Sequence, residues 1–447
     1  MFKKTFLSYF ILLCVTMNIS YGEWKVVDTI NLIPGGNKVN GLCPTAFCIL
    51  GNKIYVANYN SKSVSIIDTA NNNSVTNISV ENEPIALCVL GNKVYVANSR
   101  SNSVSIIDTL NNNAVINISV GNEPIALCVL ENKVYVANSW SNSVSIIDIA
   151  NNNAVTNISV GNVPVALCAF KNKVYVANHC SDSVLIIDIA NNNAITNINV
   201  GKYPEAICVL GNRVYVANNG SDSISIIDTG NNNKVTNINV GKYPEALCVL
   251  KNKVYVAGSS SVSIIDTTNN NSVININVGD EPTALCVLGN KIYMANSLTD
   301  SISIIDTANN NSVTNISVGD GPEALCVLEN RVYVANSLSG SISILEYDDK
   351  IEVNFNSDIL VLNKGFASVM CEFLKEQKET FNLRDTEGEI GLFIKYPILI
   401  IPSGGLIGLD SLLFKAKLER YVEAGGIIIC LAQQNGKNFS KERVVKF

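Results

Sequence analysis

Apolar and polar positions along this chain recur in a block whose clearest copy starts at Pro84. PIALCVL (Pro84 to Leu90) is a continuous apolar run bounded by turn residues, the pattern of a strand covered on both faces. Gly91-Asn92 follows, a two-residue turn signal that predicts a hairpin into KVYVAN (Lys93 to Asn98). A polar loop, SRSNS, leads to VSIID (Val104 to Asp108), and Leu110 to Asn113 turns the chain into AVINISV. In that last segment Ile118 and Val120 fall on one face and Asn117 and Ser119 on the other, as in a half-exposed outer strand. The first strand is the most apolar and the fourth the most polar. The gradient therefore runs from a centre to a rim.

The block repeats. Its second-strand tyrosine falls at Tyr55, Tyr95, Tyr135, Tyr175, Tyr215, Tyr255, Tyr293 and Tyr333, with gaps of 40, 40, 40, 40, 40, 38 and 40 residues. A fixed period near 40 marks a stacked or radial repeat, whose unit cannot bury its apolar surface alone. Four antiparallel strands per unit and eight units predict an all-β, eight-bladed β-propeller with a small C-terminal α/β domain. The order Pro, apolar strand, Gly-Asn, YVAN, VSIIDT and a V-x-x-I-x-V outer strand resembles the YVTN β-propeller repeats from about Trp24 to Glu346. It departs in carrying Ala for the family's Thr and in having eight copies, where seven are common. The resemblance implies export to a cell surface or the periplasm, and no assigned activity.

The eighth unit, SISILEYDD, lacks a following outer strand. VDTINL (Val27 to Leu32) has the missing pattern and is expected to complete that blade beside Ser341 to Leu345. Ile351 to Phe355 is the competing donor.

Variation among the units concentrates in two connections: the loop after YVAN and the loop before the proline. Antiparallel strand order puts both on one end of a blade and the constant hairpins on the other. One face thus carries Arg100, Trp140, His179, Tyr203 and Tyr243, the candidate ligand-binding residues. Loops on a rigid scaffold are where ligands are usually met, and exposed Trp, Tyr and Arg favour interfaces. Drift in loops that tolerate any polar residue would place variation in the same positions.

The chain has 447 residues, 47% hydrophobic and 16% charged, enough for a large core. A net charge of −6 gives no basic footprint, which argues against nucleic acid. Residues 1–22 read as a signal peptide: Lys3 and Lys4, an apolar run from Phe6 to Met17, and small Ser20 and Gly22 before Glu23. An uncleaved anchor is the alternative, though the run is short for a span. Leu13 before Cys14 does not favour a lipoprotein, and no later stretch is apolar enough to cross a bilayer.

Of 13 cysteines, eight occupy one slot of the first strand, Cys48 to Cys326, and read as packing rather than cross-links. His179 is the single histidine, so triads and multi-histidine metal sites lack partners. The aspartates that end VSIID invite a calcium reading, but without alternating ligands they fit turn capping better. No catalytic residue, cofactor or metal site is assigned. The expected function is an exported, non-catalytic binding or scaffolding module, with a protein or envelope polymer as partner. The alternative is a lyase-like propeller enzyme using His179.

After residues 23–348 the period ends. DILVL (Asp358 to Leu362), ILII (Ile398 to Ile401) and IIICL (Ile427 to Leu431) read as buried strands. Ala367 to Glu376 and Leu412 to Ala424 read as helices, which together indicate a parallel α/β layer over 349–447. ILIIPSGG and YVEAGGIIICLAQQ resemble the front of a class I glutamine amidotransferase-like fold. In that family a nucleophilic cysteine sits in a G-x-C-x-G turn. Cys430 matches it, but Ile429 and Ala432 replace the glycines and no histidine follows, so the resemblance implies fold without amidotransferase activity. The fold usually runs beyond Phe447, so the domain is minimal or the sequence a fragment.

Overall fold

The computed structural model describes residues 23–32, 42–190, 192–269, 271–309, 311–348, 359–362, 381–384, 398–401 and 427–430. The chain divides into two compact units, Trp24–Glu346 and the remainder. Trp24–Glu346 is an eight-bladed propeller of four-stranded antiparallel sheets, each blade following the strand order of the chain except the last. In the second blade the strands are Pro84–Leu90, Lys93–Asn98, Ser103–Asp108 and Ala114–Ser119.

Alternation along the second strand builds the core. Successive side chains point to opposite faces, so Val94 and Val96 meet Tyr55, Val64 and Ile66 of the preceding blade. Tyr95, with Val104 and Ile106, meets Val134, Val136 and Ile147 of the next. The same roles recur around the ring. At the last junction Tyr333, Ala335, Ile342 and Ile344 meet Ile54, Val56 and Ile67 of the first blade, and the ring closes. The repeated tyrosines are fully buried there. Each such ring contributes about 1.5–3 kcal/mol of burial.

The most apolar strand is not the most buried. Past its proline the first strand is half-buried in blade after blade, whereas the second and third are closed off. The expectation of a first strand covered on both faces is corrected here. It is the innermost strand of each sheet, with no strand beyond it, while the second and third are flanked on both edges and sandwiched between blades.

A polar rung crosses most blades. Asn98 Nδ2 donates to Ser103 Oγ (3.2 Å) and Ser105 Oγ (2.8 Å), and Ser105 Oγ donates to Asn117 Oδ1 at 2.7 Å. The fourth blade has Leu185 in place of that second serine, and Leu185 packs into the junction with the third blade instead.

The outer strand of the eighth blade is Glu23–Asn31, paired with Ser341–Asp348. The N-terminal donor is therefore the one used, starting four residues before Val27. Ile30 and Leu32 are buried in the closing junction, and Trp24 packs edge-on to Tyr293 with ring centroids 5.0 Å apart. The competing segment, Ile351 to Phe355, lies outside the described residues.

The aspartates cap turns, as the sequence suggested. Asp108 Oδ1 accepts from the backbone N–H groups of Leu110 (3.1 Å) and Asn111 (3.2 Å). Asn112 and Asn113 then take φ of 50° and 58°, the left-handed region that asparagine tolerates.

In the second unit, Phe381–Arg384, Ile359–Leu362, Ile398–Ile401 and Ile427–Cys430 form a parallel sheet in that spatial order. The edge strand Phe381–Arg384 was not anticipated. FNLR is too short and too polar to stand out as a strand. The expected helices and the signal segment lie outside the described residues.

Candidate functional site

The site is built on an unusual linker. In every blade the residue before the proline has positive φ, from 49° at Cys43 to 62° at Gly321, with Val163 at 54° and Tyr203 at 53°. Non-glycine residues, and β-branched valine above all, enter this region at a cost. The twist lets that residue's carbonyl accept the first N–H of the loop after YVAN. Ser99 N–H donates to Glu83 O (2.9 Å), His179 N–H to Val163 O (2.8 Å) and Asn219 N–H to Tyr203 O (2.9 Å). The two variable connections thus lie side by side, on the end of the blade opposite the hairpins.

The five expected residues all stand on this face, and the structure brings them together in two pairs plus one. Arg100 and Trp140 line an open groove of about 330 Å³ between the second and third blades, with Glu83, Asn102, Asn122 and Glu123. Arg100 Nη1 lies 3.2 Å from Glu83 Oε1, and Tyr59 Oη donates to Glu83 Oε2 at 2.9 Å. Trp140 is 71% exposed.

His179 stacks on Tyr203, with ring centroids 5.0 Å apart and planes 13° from parallel. Glu205 Oε2 is 2.9 Å from His179 Nδ1. That approach lies off the hydrogen-bonding direction, so it acts as a charge contact when the imidazole is protonated. Tyr203 also crowds Gly220, where a Cβ would fall 2.3 Å from the tyrosine ring. Tyr243 occupies the equivalent position one blade on, and its N–H donates to Asp222 Oδ1 at 3.0 Å.

Sequence reasoning passed over the glutamates of this face. Burial pushes the Glu245 carboxyl up, Glu205 pushes it further, and the Asn219 amide works the other way. Burial likewise raises Glu323, against the lowering effect of the Ser337 hydroxyl. A signal was present: PEAICVL and PEALCVL differ from PIALCVL by a charge at the second strand position.

The ten cysteines of the propeller, Cys43 to Cys326, are unpaired. Burial pushes the thiols of Cys48, Cys128, Cys208 and Cys286 up to about 12, so at neutral pH they stay protonated and poorly nucleophilic. Among the described residues no three His, Cys, Asp or Glu side chains converge as a metal site.

No protein-family profile and no curated protein matches the sequence. Solved structures share the fold. Sqt1 from Saccharomyces cerevisiae superposes with a TM-score of 0.62 at 7% identity, covering 72% of this chain and 99% of its own. BamB from Moraxella catarrhalis gives 0.58 at 14% identity, covering 72% of this chain and 100% of its own. A streptogramin B lyase gives 0.50 at 12% identity, covering 73% and 98%. At such identities the likeness is one of fold.

Proposed function

We propose that this protein is an exported, non-catalytic binding or scaffolding module that meets a protein or envelope polymer on its variable face. One observation carries the reading: loops held in a fixed backbone present Trp140, Tyr203, Tyr243 and Arg100 to solvent on one end of the ring. The propeller likeness to BamB and Sqt1 is in keeping with it. The sequence order of the repeats supports a place beside the YVTN proteins, and the parallel sheet of the second unit is in keeping with an amidotransferase-like layer.

Pull-down from envelope extracts with the wild type and the W140A/Y203A/Y243A variant tests the face. The variant is expected to lose the captured partner while keeping its melting temperature; equal capture by both rejects the face. Export rests on residues 1–22, and no helix among the described residues is long and apolar enough to cross a membrane. N-terminal sequencing of the envelope-fraction protein should begin at Glu23. A cytoplasmic protein beginning at Met1 rejects export.

The second reading, a propeller enzyme, draws on His179, an imidazole on the variable face with the Glu205 carboxylate 2.9 Å away, since imidazole is the commonest general acid–base group. H179A would abolish turnover on that reading with the fold intact, and turnover unchanged by H179A rejects it.

A further inference from the structure

Blades five to eight share a pattern in an unbroken arc. Each shows one large apolar side chain to solvent on the variable face: Tyr203, Tyr243, Leu298 and Leu338, exposed by 49%, 54%, 64% and 79%. Each also carries a glutamate next to the proline that opens the blade: Glu205, Glu245, Glu281 and Glu323. The third blade has the combination in isolation, with Trp140 and Glu123.

The arc is short of positive charge. Glu205 meets only His179, a charge partner solely when its imidazole is protonated, and among the described residues no lysine or arginine pairs with Glu205, Glu245, Glu281 or Glu323. Lys202 and Lys242 lie in the same linkers and form no ion pair with them. Glu245 feels both Glu205 and Glu281, so the carboxylates of blades five to seven reach one another. An apolar surface interleaved with uncompensated negative charge is complementary to a chain that carries both cations and apolar groups.

We propose that this arc binds a partner protein through a segment in which lysine or arginine is interspersed with large apolar residues. The proposal deepens the variable-face reading and rests on it.

The test uses fluorescence anisotropy with a labelled eight-residue peptide of four lysines and four leucines, against the full chain. Saturable binding is expected, weakened at least tenfold by E205Q/E245Q/E281Q/E323Q, severalfold by L298S/L338S, and by rising salt. A peptide with glutamate for every lysine should not bind. Absence of saturable binding, equal binding by the fourfold variant, or binding of the glutamate peptide overturns the proposal. If the fourfold variant fails to fold, E281Q and E323Q singly should each weaken binding about twofold, and unchanged affinity in both is equally fatal. Loss of envelope capture in W140A/Y203A/Y243A without any peptide binding removes only the cationic segment and leaves the face standing.

Discussion

The two ends of the ring come from the same four-strand unit, yet one keeps nearly the same turns from blade to blade and the other does not. On the hairpin end side chains hold the turns. Asp108 caps, Asn112 and Asn113 supply left-handed backbone, and Lys93 sits opposite Asp108 in register, as Arg331 does opposite Glu346. Change those side chains and the turn suffers. On the other end backbone bonds from loop to linker carry much of that work, as between Ser139 N–H and Glu123 O at 2.8 Å. Apart from the Asn or Asp that accepts the linker N–H, as Asn102 and Asp222 do, the side chains there are free to diverge. Where the main chain supplies the restraint, the side chains become available for recognition.

The comparison can be broken where main chain matters most. The sixth blade has a loop shortened by two residues, and a Cβ at Gly258 would fall 2.6 Å from the Lys242 carbonyl oxygen. Gly258→Ala should cost on the order of 2 kcal/mol in urea unfolding, because backbone must move. Arg100→Ala on the same face should change stability by less than about 0.5 kcal/mol, since its ion pair is exposed. A costly Arg100→Ala would show that side chains hold this end too.

On the hairpin end Asp108→Ala should cost about 1 kcal/mol, because the Leu110 N–H loses its acceptor and the Asn111 N–H keeps only the Asp108 backbone carbonyl. Glu131 stands at φ 54° where Gly51 and Gly91 serve other blades, so Glu131→Gly should stabilise by about 0.5–1 kcal/mol. A loss of stability there would mean that the glutamate side chain contributes more than its backbone strain.

The smallest effect is a contrast in pH dependence. Burial raises Glu245, so the folded protein holds that proton more tightly than the unfolded chain, and stability falls as pH rises through the window just above the ordinary carboxylate range. Burial would also raise Asp306 on the hairpin end, but the Lys291 ammonium and the backbone N–H groups of Ala308 and Asn309 together outweigh it and leave the carboxyl lowered. Its contribution is present above the ordinary range and is lost as pH falls through the folded value. Unfolding titrations of Glu245→Gln and Asp306→Asn should therefore deviate from wild type in opposite directions, Glu245→Gln stabilising at neutral pH and Asp306→Asn destabilising. Deviations of the same sign would erase the electrostatic difference between the ends.

Much of this fold was legible because a period is a global signal carried by local residues. The 40-residue spacing of the tyrosines located the blades, and Gly91-Asn92 and the Asn tracts located the turns. The missing outer strand of SISILEYDD pointed to the chain's own start. Burial of the first strand was misjudged because apolarity says what a segment can cover, while its place at the inner edge decides how much is covered. The positive φ of Val163 and Tyr203 had no sequence cue, since such strain is imposed by the bonds the linker must make. The five candidate residues were visible as departures from the repeat. Their grouping was not: that His179 would lie against Tyr203 and Glu205 depends on which loops neighbour each other in space.

The strand that finishes the eighth blade is synthesised before every other strand of the ring. It must stay uncommitted until Ser341–Asp348 exists, more than 300 residues later. Every earlier blade can assemble on its predecessor, but the circle is sealed by the longest-range pairing in the ring, and such contacts form slowly. Until that moment the growing ring has two raw ends, the inner face of its first blade and the outer face of its latest.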